Sequence, residues 1–255
     1  MCKPYVGITG ITRPAQTYAI DRMLEALDWP VSHQVMYGVL VSGWTLQGMV
    51  PTNTRQYPPA DEVGSLLSRH PQSLNLIHYN DGRRPYALDM QLASLKRLAP
   101  GFDGVQLNFA WPNPIELRRA EASGGAIILQ VGSKALREAG RDMTAQWLRA
   151  YGGAVDYVLV DLSGGTGKSL DVTDTLRLLE DLTAVSDHYR LGLEFGVAGG
   201  LSAERIPSLA LLLRRFPCLS WDAQAGLRDA ADELDLDLVQ RYLAASLQLI
   251  RTATA

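Results

Sequence analysis

Cysteine is nearly missing from this chain: Cys2 and Cys218 are the only two in 255 residues, and they fit neither a disulfide framework nor the paired spacing of a thiolate metal site. Both are expected as reduced thiols of local importance. No apolar run reaches the roughly 18 residues that a membrane-spanning helix needs, and the opening MCKPYVGITG lacks the basic start and apolar stretch of a signal peptide. The chain is therefore read as cytoplasmic, with no membrane partner. Positive charge is not in excess either. Twenty-four Lys and Arg against 27 Asp and Glu leave −3, which gives no footprint for nucleic acid. The four histidines, His33, His70, His78 and His188, have no ligand spacing, so neither a metal nor an organic cofactor is expected.

What is present is core material. With 47% hydrophobic and 20% charged residues, the chain can fill one large domain. Short apolar runs recur at Pro4 to Ile8, Val35 to Val41, Leu74 to Tyr79, Gly104 to Leu107, Ala126 to Val131, Val155 to Val160, Leu191 to Val197 and Cys218 to Trp221. Between them lie stretches with apolar residues three and four apart, such as Ala15 to Leu27, Ala60 to Ser68, Tyr86 to Leu98, Thr173 to Val185 and Ala203 to Arg214, with a last helix near Asp237 to Arg251. Strict alternation means parallel strands joined by crossover helices, and eight such units predict an α/β fold, a single (β/α)8 TIM barrel over residues 1–255. An open doubly wound sheet is the rival, but it would use five or six strands and leave the others unexplained. In a barrel the chemistry belongs to the loops that follow the strands.

Three of those loops are rich in glycine. The segment VDYVLVDLSGGTGKSL reads as a buried strand that ends on Asp161 and opens into Ser163, Gly164, Gly165, Thr166 and Gly167. After the seventh strand come Gly199, Gly200 and the capping Ser202, and after the eighth Asp222 is followed by Ala225 and Gly226. Paired glycines let backbone N–H groups approach an anion closely, so Gly164, Gly165, Thr166, Gly167, Gly199, Gly200, Ala225 and Gly226 are read as a phosphate site. Two nucleotide motifs are ruled out: Leu162 stands where a P-loop needs its first glycine, and Leu170 breaks a dinucleotide fingerprint.

Taken together, Asp161 with SGGTGKSLD, then VAGGLSAERI, then WDAQAGLRD, resembles the closing third of the phosphoribosylanthranilate isomerase family, barrel enzymes of tryptophan biosynthesis. The front is similar too. Thr9-Gly10-Ile11-Thr12 resembles the family's Cys-Gly-Ile-Thr, Asn53 to Tyr57 its Ser-x-Arg-Tyr, and Gln106-Leu107-Asn108 its Gln-Leu-His. The resemblance implies a phosphosugar-binding barrel, monomeric or homodimeric, that turns an aminoaldose phosphate into an aminoketose phosphate. It implies Asp161 as the acid that opens the ribose ring, and Arg55 as the guanidinium that meets a substrate carboxylate.

The base departs from the family. Thr9 replaces its cysteine, Gly7 replaces a lysine two residues earlier, and a threonine hydroxyl has no useful basicity near neutrality. His78, Asn108, Glu194 and Asp222, at or near the ends of the third, fourth, seventh and eighth strands, are the alternatives. Alternation along a strand leaves each as ready to point into barrel filling or a helix interface as into the mouth. His78, Asn108, Asp222 and Arg55 are taken as substrate-binding candidates. Ser42 to Pro59 makes an unusually long connection and is a candidate lid or specificity loop, whereas Phe109-Ala110-Trp111 is expected to pack under a loop. Three readings stay open: an isomerase of the family's type, an enzyme of the same barrel with a different phosphorylated substrate, and a phosphosugar-binding protein without turnover.

Overall fold

A computed structural model of the chain describes residues 3–81, 87–121, 125–140, 143–163 and 170–253. Its strands are β1 (Tyr5–Thr9), β2 (Gln34–Ser42), β3 (Ser73–Asn80), β4 (Gly104–Leu107), β5 (Ala126–Gly132), β6 (Tyr157–Asp161), β7 (Glu194–Ala198) and β8 (Ser220–Ala223). All pair in parallel, each with the next, and β1 closes on β8 with Val6 opposite Trp221, Gly7 opposite Asp222 and Ile8 opposite Ala223. The predicted closed eight-stranded barrel is the observed one.

Around it run α1 (Pro14–Leu27), α2 (Gly43–Leu46), α3 (Leu88–Leu98), α4 (Pro114–Glu121), α5 (Ser133–Ala139), α6 (Thr144–Leu148), α7 (Val172–Tyr189), α8 (Ala210–Arg215) and α9 (Leu236–Ala253). Local chemistry sets their ends. Pro14 needs no N–H partner at the start of α1, where Gln16 Oε1 accepts from the N–H groups of Thr12 and Arg13 at 2.9 and 3.0 Å. Asp171 caps α7 by accepting from the Asp174 N–H at 2.9 Å. One face of α9, with Val239, Tyr242, Leu243, Leu247 and Ile250, is buried against the barrel.

Two expected helices are weaker than their patterns. Ala60–Leu66 is a 3-10 helix, with two prolines ahead of it and Gly64 inside, and the stretch from Ala203 narrows to a 3-10 turn at Ile206–Leu209 followed by the short α8. Proline and glycine shorten what the apolar spacing alone would extend. Cys218 is disulfide-bonded, which corrects the expectation of a reduced thiol there, while Cys2 lies outside the described residues. The reason is topological. Cys218 precedes β8, and because β8 runs parallel beside β1, the segments leading into both strands emerge together at one end of the barrel.

Strand parity divides the core. Val6, Ile8, Val158, Val160, Val197 and Trp221 face outward into the layer beneath the helices. Tyr5, Met36, Leu74, Leu76, Ile128, Leu159 and Ala198 form a second cluster that fills the barrel itself. Above that apolar plug the inward-facing residues become polar.

Candidate active site

Six strands each raise one polar side chain above the plug: Thr9, His78, Gln106, Gln130, Asp161 and Asp222. Thr9 is fully buried, and His78, Asp161 and Asp222 are each 6% exposed. Over them opens a cavity of about 760 Å³. Three glycines make room on its floor. A Cβ at Gly7 would stand 2.6 Å from Asp222 Oδ1, one at Gly38 would stand 2.5 Å from Thr9 Oγ1, and one at Gly199 would stand 2.9 Å from Asp161 Oδ1.

The Thr9 hydroxyl donates to Asp222 Oδ1 at 2.9 Å and lies 3.3 Å from His78 Nε2. With its own proton committed to the carboxyl, the hydroxyl oxygen is left to accept, which places the imidazole proton on Nε2. Burial pushes His78 down to about 3, so its ring is neutral near pH 7 and too weak to be a base. Asp222 goes the other way. Burial drives it up to about 7, against the hydrogen bond from Thr9; the charge of Asp161 raises it further, and bonds from the Ala223 backbone and Gln106 hold it back. Near neutrality it therefore exists in both protonation states.

Asp161 sits in a different setting. Its Oδ1 accepts from the Ser163 N–H at 3.0 Å and the Ser163 hydroxyl at 2.6 Å, and its Oδ2 accepts from Gln130 Nε2 at 3.0 Å. Asp161, Ala198 and Asp222 are register partners across β6, β7 and β8. The two carboxyl-bearing residues thus flank one small alanine, with backbones two strand spacings or about 10 Å apart. Gln106 serves Asp222 as Gln130 serves Asp161, and among the described residues the buried Gln106 Oε1 has no hydrogen-bond partner.

The remaining expected residues divide. Gly199 and Gly200, at φ +112° and +61°, line the cavity wall, and so do Ala225, Asn108 and His78. Gly226 does not line it; its missing side chain lets the β8 loop pack on the Leu201 carbonyl. Gly164, Gly165, Thr166 and Gly167 lie outside the described residues. Glu194 is the first residue of β7, at the opposite end from the cavity. Arg55 is exposed and does not line the cavity; its guanidinium donates to the Ala231 carbonyl at 2.7 Å. Trp111 packs under its loop as expected, with its indole N–H on the Ala135 carbonyl at 2.9 Å.

Several lining residues were missed by the sequence reading. Lys134 and Arg137 of α5 bring positive charge to the wall, Gln130 supports Asp161, and Arg228 reaches the cavity with a side chain only 4% exposed. The signal for the first two was another glycine-ended strand, Gly132-Ser133-Lys134, before a helix. Residues 53–56 are fastened beside the cavity, which Gln56 lines. Gln56 donates to both Asp232 oxygens at 3.0 and 2.8 Å, Asn53 donates to Asp232 at 3.3 Å, and Arg228 bonds Asp232 at 2.7 Å and the Arg55 carbonyl at 2.6 Å. Those bonds hold the Asp232 carboxyl below its ordinary range despite the opposing effect of burial. Among the described residues no three His, Cys, Asp or Glu side chains could share a metal ion, and no helix is long and apolar enough to cross a membrane.

No family model and no curated protein sequence matches this chain. Solved structures do resemble it. Phosphoribosyl anthranilate isomerase from Thermus thermophilus superposes with a TM-score of 0.64 at 17% identity, covering 96% of this chain and 99% of that one. The Thermotoga maritima enzyme gives 0.62 at 17%, covering 96% and 98%. A phosphoribosyl anthranilate isomerase in complex with reduced 1-(o-carboxyphenylamino)-1-deoxyribulose 5-phosphate gives 0.59 at 16%, with the same coverages of 96% and 98%. The chain therefore has the barrel fold of these isomerases along nearly its whole length.

Proposed function

We propose that the chain isomerises a phosphorylated aminoaldose to the aminoketose, in the manner of the isomerases whose barrel it shares. The observation that carries this reading is the pair Asp161 and Asp222, two buried carboxyl groups in unlike surroundings at one level of the cavity. Ring opening needs an acid and enolisation needs a base, and dissimilar environments are how one site keeps both. Asp161 is assigned the acid: its carboxyl gives a proton to the ribose ring oxygen as the C1–O bond breaks and the nitrogen lone pair forms C1=N. The wall of Gly199 and Gly200, with Gly164, Gly165, Thr166 and Gly167 from the neighbouring loop, is assigned the phosphate. Backbone N–H groups at glycine turns accept an anion without a side chain in the way.

A second reading keeps the barrel and the phosphate but changes the substrate. Arg55 does not line the cavity while Lys134 and Arg137 do, which favours a negative group placed differently from the anthranilate carboxylate. One experiment separates the two. The purified protein is given phosphoribosylanthranilate, and loss of its fluorescence is followed beside Asp161→Asn. Turnover that falls at least about 100-fold in the variant, the scale of a lost general acid, supports the first reading. Absent turnover, with tight binding of the reduced carboxyphenylamino-deoxyribulose phosphate, supports the second; neither turnover nor binding refutes both.

A further inference from the structure

We propose that Asp222 is the general base of this site and that Thr9 is its positioning residue, the two having together taken over the place of the family's cysteine. The inference rests on the isomerase reading and deepens it. Elimination and geometry both carry it. Of the groups that could replace a thiolate, His78 is a neutral donor locked onto Thr9, Asn108 does not titrate, and Glu194 lies at the far end of the barrel. Asp222 alone lines the cavity, stands beside Thr9 and changes charge near neutrality.

Both departures from the family at the end of β1 become one arrangement. A Cβ at position 7 would stand 2.6 Å from Asp222 Oδ1 and 2.7 Å from Met36 Cε, so a side chain there would make both of those groups shift from their present places. Gly7 opens the seat, and Thr9 fixes the group in it. Gly38 in turn leaves space for the Thr9 hydroxyl between Asp222 and His78. Threonine at position 9 is thus not a failed base but a hydrogen-bond donor aimed at a base one strand away. The unpartnered Gln106 Oε1 beside Asp222 offers an acceptor to a donor on the bound molecule, such as a sugar hydroxyl.

The proton balance closes on the two carboxyl groups. In the reactive state the one proton of the pair is on Asp161 and Asp222 is ionised; after ring opening Asp161 is a carboxylate as well. Asp222, ionised, takes the C2 proton; the C–H electron pair becomes C1=C2, and the C1=N pair returns to nitrogen, giving an enolamine. Asp222 then delivers its proton to C1 as the C2 hydroxyl gives its own to Asp161, leaving the ketone and both groups as they began.

Charged and titratable groups facing Asp222 are Asp161 from β6, His78 from β3 through Thr9, Tyr5 from β1 and Tyr242 from α9. Of these, Asp161 opposes its ionisation and the Thr9 bond favours it. The test compares kcat/KM against pH for the native protein, Asp222→Asn, Thr9→Val and Thr9→Ser on phosphoribosylanthranilate. Asp222→Asn should lose at least about 100-fold in kcat with KM changed less than about threefold. Thr9→Val keeps the carboxyl and removes the donor, so the acid limb should move up by about one pH unit, and Thr9→Ser should restore it. Should Asp222→Asn fail to fold, the Thr9 pair decides. A native enzyme whose Asp222→Asn variant stays within fivefold, or whose acid limb ignores Thr9→Val, overturns the base while leaving the isomerase standing. A native protein without turnover overturns both.

Discussion

Asp222 should cost this protein stability, and the cost should depend on pH. Its carboxyl, ordinarily at 3.8, is driven to about 7 chiefly by burial, so at pH values between the two the native state holds a proton that the unfolded chain has released. Stability then falls as pH rises. Below about pH 4 both states are protonated and nothing is lost; above about pH 8 both are ionised and the loss is complete. At about 1.36 kcal/mol per pH unit, the full difference approaches 4 kcal/mol. Asn is nearly isosteric: its oxygen accepts from Thr9, and its amide reaches the unpartnered Gln106 Oε1. Asp222→Asn should therefore melt with the native protein at about pH 3 and about 10 °C above it at about pH 8.5, taking roughly 2 to 4 °C per kcal/mol for a chain of this size. Thermal melts across that range, followed by circular dichroism, are the assay. A difference of the same size at both ends, or a variant less stable at pH 8.5, refutes the argument that ionisation of a buried group is what the fold opposes.

Further outcomes follow from packing and from the fastened segment. Asp232→Ala removes the shared acceptor of Gln56, Asn53 and Arg228, so trypsin should cut after Arg55 about tenfold faster, corresponding to roughly 1 to 2 kcal/mol of lost docking; an unchanged rate means the segment is held otherwise. Gly199→Ala forces a side chain at φ +112° to within 2.9 Å of Asp161 Oδ1 and should cost about 1 to 3 kcal/mol in denaturant unfolding, together with any activity that depends on Asp161. Trp221→Ala empties a fully buried site whose indole donates to Ser246 at 3.2 Å; a loss of about 3 to 5 kcal/mol is expected, and a loss under 1 would mean that the helix layer collapses into the gap.

The fold was legible because its signal is local and repeated. Eight apolar runs separated by amphipathic stretches can be counted without knowing what any of them touches, and the position of Asp161 at a strand end follows from the same pattern. Where local punctuation competes with periodicity, as at Gly64 or Pro207, the helix was overread. The site was legible only in part. Asp161, Gly199 and Gly200 stand in loops with their own composition, but Arg228 reaches the cavity through bonds to residues 55 and 232, and nothing near position 228 announces them. Arg55 carries the opposite lesson: its surroundings resemble a substrate-binding segment, and a backbone carbonyl 176 residues away claims its guanidinium. Thr9 taken alone reads as a lost base. Only the register of β1 against β8 gives it a partner.

That seam has a consequence for how the protein is made. Thr9 and Asp222 are separated by 213 residues, and they meet where the first strand joins the last. Bringing such distant segments together is among the costliest loop closures the chain performs. A ribosome-bound chain that has folded its first six or seven units holds Thr9, His78 and even Asp161, yet it has no seat for the carboxyl that completes them. No half-barrel, and no chain trapped with an open seam, carries the assembled pair. The assembled pair therefore arises last, in the same event that seals the cylinder, and an assay of anything that depends on the pair counts only molecules that have finished folding.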